Sequence, residues 1–396
     1  MTTWNLPPCN CSDDRPAIMT TIARASAGDT IVFGQGTFKI NINGGIRLKS
    51  GVTYTSTLIE GKIAAKIVGQ TSRVHTLATV IGSASDITIS NLYFSTLGDG
   101  SSAGLQLIGH DAADTTNITV TNCIFDNASI NALVLQSSHI THNTFVNINN
   151  NTTRPAALGG GWLNNSMISY NAFQNNWQDI SLSFGHGASN KVSGQNNVFS
   201  YNWGKGGTHR MGMEIQDTQQ FGSCANMIID HNWWGGGWNN DLDGNPPSNS
   251  NSAGYSIVCD GGISTTFSNN YADGLTADGT RRAGMGAENS GAGNGPTKGQ
   301  ITGNDVRNFQ YGLICYGPGT QNYVNNNVVS THGTIGNPFK QSCPASGTTT
   351  NDSLAPPNPP AAGASQLYTG DGKPEAKKAG GDASIVSNQS LRRAHK

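Results

Sequence analysis

Short runs in which apolar and polar residues alternate recur along most of the chain. Seven of these runs have an apolar residue at both the second and the fourth position. Because side chains alternate between the two faces of a strand, these two positions are predicted to face a core. A weaker run, ALGGG (157–161), lies between ALVLQ (132–136) and DISLS (179–183). The seven runs align without gaps: GLQLI (104–108), ALVLQ (132–136), DISLS (179–183), GMEIQ (212–216), SIVCD (256–260), GMGAE (284–288) and GLICY (312–316).

A second repeated unit consists of an asparagine, any residue, and then an aromatic or aliphatic residue. Its intervals run from 21 to 38 residues, the size of one coil of a solenoid with or without an added loop. Stacked asparagines can pass amide hydrogen bonds from coil to coil, so we interpret them as a structural ladder. The asparagines are Asn91, Asn122, Asn143, Asn171, Asn197, Asn232, Asn270, Asn304 and Asn327.

The repeats and the N-terminal stretch DDRPAIMTTIARASAGDTIVFGQGTFKI (13–40) resemble the right-handed parallel β-helix proteins of the pectin-lyase-like superfamily. Asp13, Asp14 and Pro16 suit the start of the short cap helix found in many of them. The resemblance covers about residues 13–335. It implies an all-β fold, a right-handed single-stranded parallel β-helix with a short N-terminal cap helix. Its members include polysaccharide lyases, glycoside hydrolases, esterases, epimerases and phage tailspikes, so it implies no single activity.

Three segments are predicted. Residues 1–30 form an N-terminal segment with the cap helix, and residues 31–340 form the β-helix that carries the active site. Residues 341–396 are rich in Pro, Ser and Ala and then polar with basic clusters, which predicts a linker and a disordered tail. An attachment segment is the alternative interpretation of this tail.

Four acidic residues occupy outward positions of successive runs: Asp179 the first, Glu214 the third, and Asp260 and Glu288 the fifth. From strand and coil spacings, Asp260 and Glu288 should be direct neighbours, and Glu214 should lie diagonal to Asp260, roughly 8 Å away. Such spacings are compatible with both retaining and inverting glycoside hydrolysis. We interpret Glu214 and Asp260 as acid and base or nucleophile, assisted by Glu288 and Asp179. A calcium site, or plain solvation of the carboxylates, is the alternative.

Basic and aromatic residues crowd the same coils. Lys205, Arg281 and Arg282 are predicted to bind substrate, and His209 and Arg210 to take part in catalysis, with His209 as the base if the enzyme is a lyase. Trp177, Trp203 and Trp238 each follow an aromatic residue by four positions. They are predicted to stack beside the carboxylates and to contact the apolar faces of sugar rings. Sealing a corner of the solenoid is the alternative for Trp177 and Trp203.

Composition excludes several other functions. Only 12% of residues are charged, the net charge is −1 and the pI is about 6.7, which argues against binding of nucleic acid. No apolar run is long enough for a membrane span, and the first residues are not a signal peptide, although an extracellular location is expected. Among the seven cysteines, Cys9 and Cys11 suit a terminal staple, free thiols or chelation.

The sequence therefore predicts a carbohydrate-active enzyme that cleaves a polysaccharide by carboxylate general acid/base hydrolysis. No cofactor is required for this chemistry, although calcium is an optional ligand. A polysaccharide lyase acting by β-elimination on a uronate-containing glycan is the alternative. A non-catalytic glycan-binding or tailspike-like module is the third interpretation.

Overall fold

The structure is a computed structural model, and it describes only part of the chain. At some strand positions, including Lys205, Glu214 and residues 255–260 and 283–288, it describes the backbone and not the side chains. The described residues are 1–41, 45–70, 76–81, 83–97, 103–108, 115–132, 134–148, 155–184, 196–205, 212–217, 226–235, 255–260, 265–273, 283–288, 300–307, 311–315, 323–325, 328–329, 334–335 and 349–350.

Three parallel sheets make up most of the described structure, and the chain visits them in the order sheet 1, sheet 2, sheet 3 in successive coils. Sheet 1 contains Thr3–Leu6, Thr30–Phe33, Thr53–Ser56, Ala84–Ser90, Thr115–Thr121, His139–Thr141, Met167–Ser169, Val198–Ser200, Ile228–Asp230, Thr266–Ser268, Gln300–Thr302 and Tyr323–Asn325, with Val134–Gln136 and Trp162–Asn164 beside them. Sheet 2 contains Gly36–Ile40, Ala65–Gly69, Tyr93–Thr96, Ile124–Asp126, Thr144–Val146, Ala172–Gln174, Trp203–Lys205, Trp233–Gly235, Tyr271–Asp273, Asp305–Arg307, Val328–Val329 and Thr349–Thr350. Sheet 3 contains Ile46–Arg47, Thr76–Ile81, Ala103–Ile108, Ser129–Ala132, Ala156–Gly160, Gln178–Phe184, Met213–Asp217, Tyr255–Asp260, Ala283–Glu288, Tyr311–Cys315 and Thr334–Ile335. The predicted parallel β-helix is thus confirmed.

A helix, Arg15–Arg24, begins where the sequence predicted it, with Asp14 as its N-cap residue and Pro16 in its first turn. It buries Ile18 and Ile22 against the first coils and so covers the apolar end of the solenoid. An antiparallel hairpin, Leu58–Ile59 with Lys62–Ile63, is the one departure from parallel pairing among the described strands. No helix in the described part of the chain is long and apolar enough to cross a membrane.

The predicted inward columns of sheet 3 are confirmed where the side chains are described. Leu105 and Leu107, Ile180 and Leu182, and Met213 and Ile215 are all at most 1% exposed. The run ALVLQ is an exception, because it divides between two sheets. Ser129–Ala132 continues sheet 3 and Val134–Gln136 pairs in sheet 1, so Ile130 takes the place next to Leu105. This coil is short, and the chain therefore leaves sheet 3 earlier than the alignment without gaps assumed.

The inner face of sheet 2 carries one residue per coil in a continuous column. Phe94, Phe125, Phe145 and Phe173 stack there with ring centroids 4.9–5.0 Å apart. In the next two coils the column reads Gly204 and Trp234. Such stacks bury apolar area continuously along the solenoid, which no single coil could do alone.

The asparagine ladder lies at the corner between sheets 1 and 2. From Asn143 to Asn270, each side-chain amide donates to the side-chain oxygen of the next coil at 2.9–3.1 Å, and that oxygen also accepts a backbone N–H. The ladder residues are Asn143, Asn171, Asn202, Asn232, Asn270 and Asn304.

Three predicted ladder members are placed elsewhere. Asn197 lies one corner earlier, where its side-chain oxygen accepts from the backbone N–H of Ser166. The true member of that coil is Asn202, five residues later. Asn91 and Asn122 occupy the adjacent corner position with φ 54°, a left-handed conformation that asparagine tolerates. Asn327 lies outside the described residues.

Replacing Asn202 with alanine should lower the free energy of unfolding by roughly 3 kcal/mol. Its side chain is fully buried and joins two neighbouring coils: its Oδ1 accepts from Asn171, and its Nδ2 donates to Asn232 Oδ1 and to the carbonyl oxygen of Ile168. Each buried polar group left without a partner costs about 1–3 kcal/mol. Urea unfolding measures the change. Asn131→Ala, in sheet 3, is the matched control and should cost no more than about 1 kcal/mol; equal losses in both variants would contradict the ladder interpretation.

Candidate functional site

Sheet 3 brings three of the predicted acidic positions onto successive coils. Glu214 pairs with Ser181 on one side and Val258 on the other. Asp260 pairs directly with Glu288. The register is therefore the predicted one: Asp260 and Glu288 are direct neighbours, and Glu214 lies diagonal to Asp260, two residues earlier along its own strand. The structure describes the backbone of these three residues, and their catalytic roles stay predictions.

Between Arg47 and Glu214, the row of positions in register along sheet 3 carries no charge. Its side chains at Gln106, Asn131 and Ser181 are half-buried, one coil or more apart, and Gly159 leaves a gap between the last two. The sequence alignment missed Asn131 because it assigned ALVLQ to this sheet. In register order the row contains Arg47, Thr79, Gln106, Asn131, Gly159, Ser181 and Glu214.

Asp179 does not lie on the outer face, and this part of the prediction is wrong. Its side chain is buried, 2% exposed, and accepts hydrogen bonds from Trp234 Nε1 at 2.8 Å and Asn176 Nδ2 at 3.0 Å. The strand Gln178–Phe184 begins at the corner between sheets 2 and 3, and Asp179 there faces the interior before the regular alternation of Ile180 and Leu182 sets in. Asp179 therefore cannot contact a polymer on the outer face of sheet 3.

Burial raises the pKa of Asp179 from 3.8 to about 7, against the two hydrogen bonds, which lower it. Desolvation disfavours the charged carboxylate, and no described cation offsets that cost. The protein therefore keeps a buried carboxyl group that changes its charge near neutral pH.

Gly204 provides the space for this carboxyl group. It interrupts the phenylalanine column, and the ring of Trp234 leans across the gap to stack on Phe173, with centroids 6.3 Å apart. A Cβ atom at position 204 would collide with Trp234 Nε1 and come within 2.6 Å of Asp179 Oδ2. A glycine within an otherwise aromatic column is the sequence feature that could have revealed this polar interior site.

Replacing Gly204 with alanine should lower the free energy of unfolding by about 3 kcal/mol, the upper end of the usual cost of overpacking a core. The added methyl group has to displace the indole or the carboxyl group, and both are held by hydrogen bonds. Thermal and urea unfolding measure the loss. Gly159→Ala is the matched control, since a Cβ there would meet its nearest neighbours at 3.4 Å. A Gly204→Ala protein as stable as the control would contradict this prediction, because the interior would then accommodate the added methyl group at little cost.

The predicted tryptophan stack is not formed. Trp177 is buried at the corner after sheet 2, whereas Trp203 lies within sheet 2 and pairs with Ala172 and Trp233. The two positions differ because Phe173 belongs to sheet 2 and Phe199 to sheet 1, so counting four residues from each reaches different places in the coil. Trp238 lies outside the described residues.

The predicted basic residues are placed only in part. Lys205 ends the sheet 2 strand Trp203–Lys205, and its side chain is not described. His209, Arg210, Arg281 and Arg282 lie outside the described residues. In the chain they directly precede the sheet 3 strands that contain Glu214 and Glu288.

The sequence matches no protein-family model and no curated protein. Solved structures do match. The A-module of the mannuronan C-5 epimerase AlgE6 from Azotobacter vinelandii is 13% identical with a TM-score of 0.55, covering 90% of this chain and 100% of the other. An alginate lyase from Paenibacillus sp. is 14% identical with a TM-score of 0.53, covering 85% and 98%. The surface adhesin PfbA of Streptococcus pneumoniae is 12% identical with a TM-score of 0.50, covering 82% and 90%.

At such low identity these likenesses establish the fold alone. The chain is a right-handed parallel β-helix protein, as its resemblance to pectin-lyase-like proteins implied.

Proposed function

We propose that this chain is a carbohydrate-active enzyme that cleaves an acidic, uronate-containing polysaccharide by β-elimination on the outer face of sheet 3. The observation that carries the proposal is the register of Glu214, Asp260 and Glu288 on three successive coils. Two of the similar solved structures are named as an alginate lyase and a mannuronan epimerase, which supports an acidic polymer and favours elimination over hydrolysis.

The polymer follows the helix axis across the coils. Met213 and Ile215 are fully buried, and strand alternation then assigns Glu214 to the outer face. The polar row at Gln106, Asn131 and Ser181 continues this face towards the N-terminal end. Amide and hydroxyl groups bind sugar hydroxyls without adding charge that would repel a uronate.

Elimination breaks the C5–H and C4–O bonds of the polymer and forms the C4–C5 π bond and an O–H bond on the leaving group. A base removes the C5 proton, the electron pair forms the C4–C5 double bond, and the glycosidic oxygen leaves C4 with a proton. We assign the base to His209 and the neutralisation of the uronate carboxylate to Arg210, Lys205, Arg281 and Arg282. We assign the proton donation to Glu214, which lies between Ser181 and Val258 on sheet 3.

Hydrolysis is the second candidate, because the register also places two carboxyl groups, Glu214 and Asp260, on adjacent coils. Strand spacings set their Cα atoms roughly 8 Å apart. From there the side chains can reach either the about 5–5.5 Å between the carboxyl groups of retaining glycosidases or the about 6.5–9.5 Å of inverting ones. The same carboxylates are also of the ligand type that calcium prefers. We expect activity to persist in a chelator, and its loss there would assign the cluster to a cation.

The reaction class is tested on alginate, polygalacturonate and neutral glucans, with two measurements on each sample. β-Elimination gives new reducing ends together with an unsaturated product that absorbs in the ultraviolet. Hydrolysis gives reducing ends alone. We expect both changes on a uronate polymer; reducing ends without absorbance would replace the lyase with a hydrolase, and binding without either would leave a non-catalytic glycan-binding module.

A further inference from the structure

Cys9, Cys11 and Asp14 bring two sulfur atoms and a carboxylate together beside the first turn of the helix Arg15–Arg24. One ligand atom of each lies within 4.8 Å of the other two. The two cysteines are joined as a disulfide with their Cα atoms 5.1 Å apart, and both are exposed. These residues lie outside the proposed reaction on sheet 3, so they require a separate explanation.

The carboxylate of Asp14 is held in place by the backbone. Its Oδ1 accepts from the N–H of Cys9 at 2.6 Å and its Oδ2 from the N–H of Lys39 at 2.7 Å. Each oxygen keeps a further lone pair for another partner. Carboxylates that ligate metals are usually oriented by such outer hydrogen bonds.

The backbone around the cysteines is also held. The ring of Pro8 packs against Gly36, where an added Cβ would come within 2.8 Å of Pro8 Cγ. The sulfur of Cys11 lies 3.1 Å from the carbonyl oxygen of Asp13. Arg15, which follows Asp14, donates from Nε to the carbonyl oxygen of Gly45 at 2.7 Å. The two sulfur atoms and the Asp14 carboxylate are therefore close together before a cation binds.

We infer that Cys9, Cys11 and Asp14 form a redox-controlled site for Zn²⁺. Two low-molecular-weight thiols reduce the disulfide: the Cys9–Cys11 sulfur–sulfur bond breaks, two electrons and two protons arrive, and the two thiols leave as their own disulfide. Zn²⁺ then displaces the two cysteine protons and binds two thiolates and the Asp14 carboxylate, with water in the fourth position.

The geometry permits this exchange without moving the backbone far. Tetrahedral zinc with Zn–S distances of about 2.3 Å sets the two sulfurs about 3.8 Å apart. Cysteines with Cα atoms 5.1 Å apart reach that separation by rotating their side chains. The metal joins residues 9, 11 and 14, whereas the disulfide closes a loop of only three residues, so the reduced and metal-bound form ties the N-terminal segment to the cap helix.

The test is metal titration of the full chain after reduction with a phosphine and removal of the reductant. Cd²⁺ serves as the probe, because cadmium–thiolate bonds absorb in the ultraviolet, and Zn²⁺ is then used to displace it. The double variant Cys9→Ser/Cys11→Ser keeps the other five cysteines and is the matched control.

The reduced wild-type protein should bind one more equivalent of Cd²⁺ than the double variant, and the oxidised protein should lack that equivalent. Asp14→Asn should weaken binding by at least about 10-fold, because it removes a direct anionic ligand and even the loss of an outer hydrogen-bonding partner costs about 10–100-fold. Circular dichroism of each variant confirms that it is folded. Equal stoichiometry in the wild type and the double variant, or equal binding before and after reduction, would overturn the proposal.

Discussion

The free energy of unfolding should fall by on the order of 4 kcal/mol as the pH rises from 4 to 7, because of Asp179. The pKa of this carboxyl group is about 7 in the folded protein and 3.8 when it is exposed. Between these values the unfolded chain releases a proton that the folded chain keeps, so raising the pH favours unfolding by about 1.4 kcal/mol per pH unit. The stabilising contribution is fully present below pH 4 and is lost as the pH approaches 7.

Asp179→Asn should remove this slope. The variant carries no titratable group at this position. Position 179 should therefore no longer contribute to the pH dependence of the free energy of unfolding between pH 4 and 7. The variant should also be less stable than the wild type at pH 4 by about 1–3 kcal/mol, because its amide N–H₂ replaces an acceptor that faces either Trp234 Nε1 or Asn176 Nδ2.

Urea unfolding at four or five pH values measures both effects. Asp86→Asn is the matched control: Asp86 is exposed at a left-handed corner that asparagine also tolerates, and its replacement should leave the slope between pH 4 and 7 in place. An Asp179→Asn protein with the same slope as the wild type would show that another group causes the pH dependence.

The sequence predicted most of the fold because the repeat is a consequence of the strand period. Apolar residues two apart, repeated at each coil, have one arrangement that buries them all, and Ile180, Met213 and their neighbours occupy it. The direct pairing of Asp260 with Glu288 then follows from aligning two strands of equal length.

Errors arose at the corners, where the period of two ends. Asp179 lies at the start of the strand Gln178–Phe184. Extending the alternation of Ile180 and Leu182 back to it predicted the outer face, whereas its side chain is buried. Asn197 and Asn202 are five residues apart in similar surroundings, and a three-residue pattern could not choose between them. Trp234 reaches Asp179 only because Gly204 lacks a side chain, and a contact between residues 55 apart has no local sequence pattern.

Glu214→Gln should lower the turnover of the polymer by roughly 10²–10⁴-fold, the usual contribution of a general acid or base. The amide keeps the size of the side chain but cannot donate the proton that the glycosidic oxygen requires. Substrate binding should change little, because the polar row at Gln106, Asn131 and Ser181 is untouched. A loss confined to kcat, with KM within a few-fold of the wild type, is therefore the expected pattern.

The placement of the reaction on sheet 3 is tested most directly by comparing Glu214→Gln with Asp230→Asn on a uronate polymer and measuring the unsaturated product. Asp230 is a carboxylate of sheet 1 from the coil that follows Glu214, hydrogen-bonded to Ser268 and Asn269 and paired with His231. Asp230 is therefore close to Glu214 in the sequence but lies on a different sheet of the solenoid. We expect near-complete loss of product for Glu214→Gln and wild-type turnover for Asp230→Asn. Full activity in Glu214→Gln, or equal losses in both variants, would contradict the placement of the reaction on sheet 3.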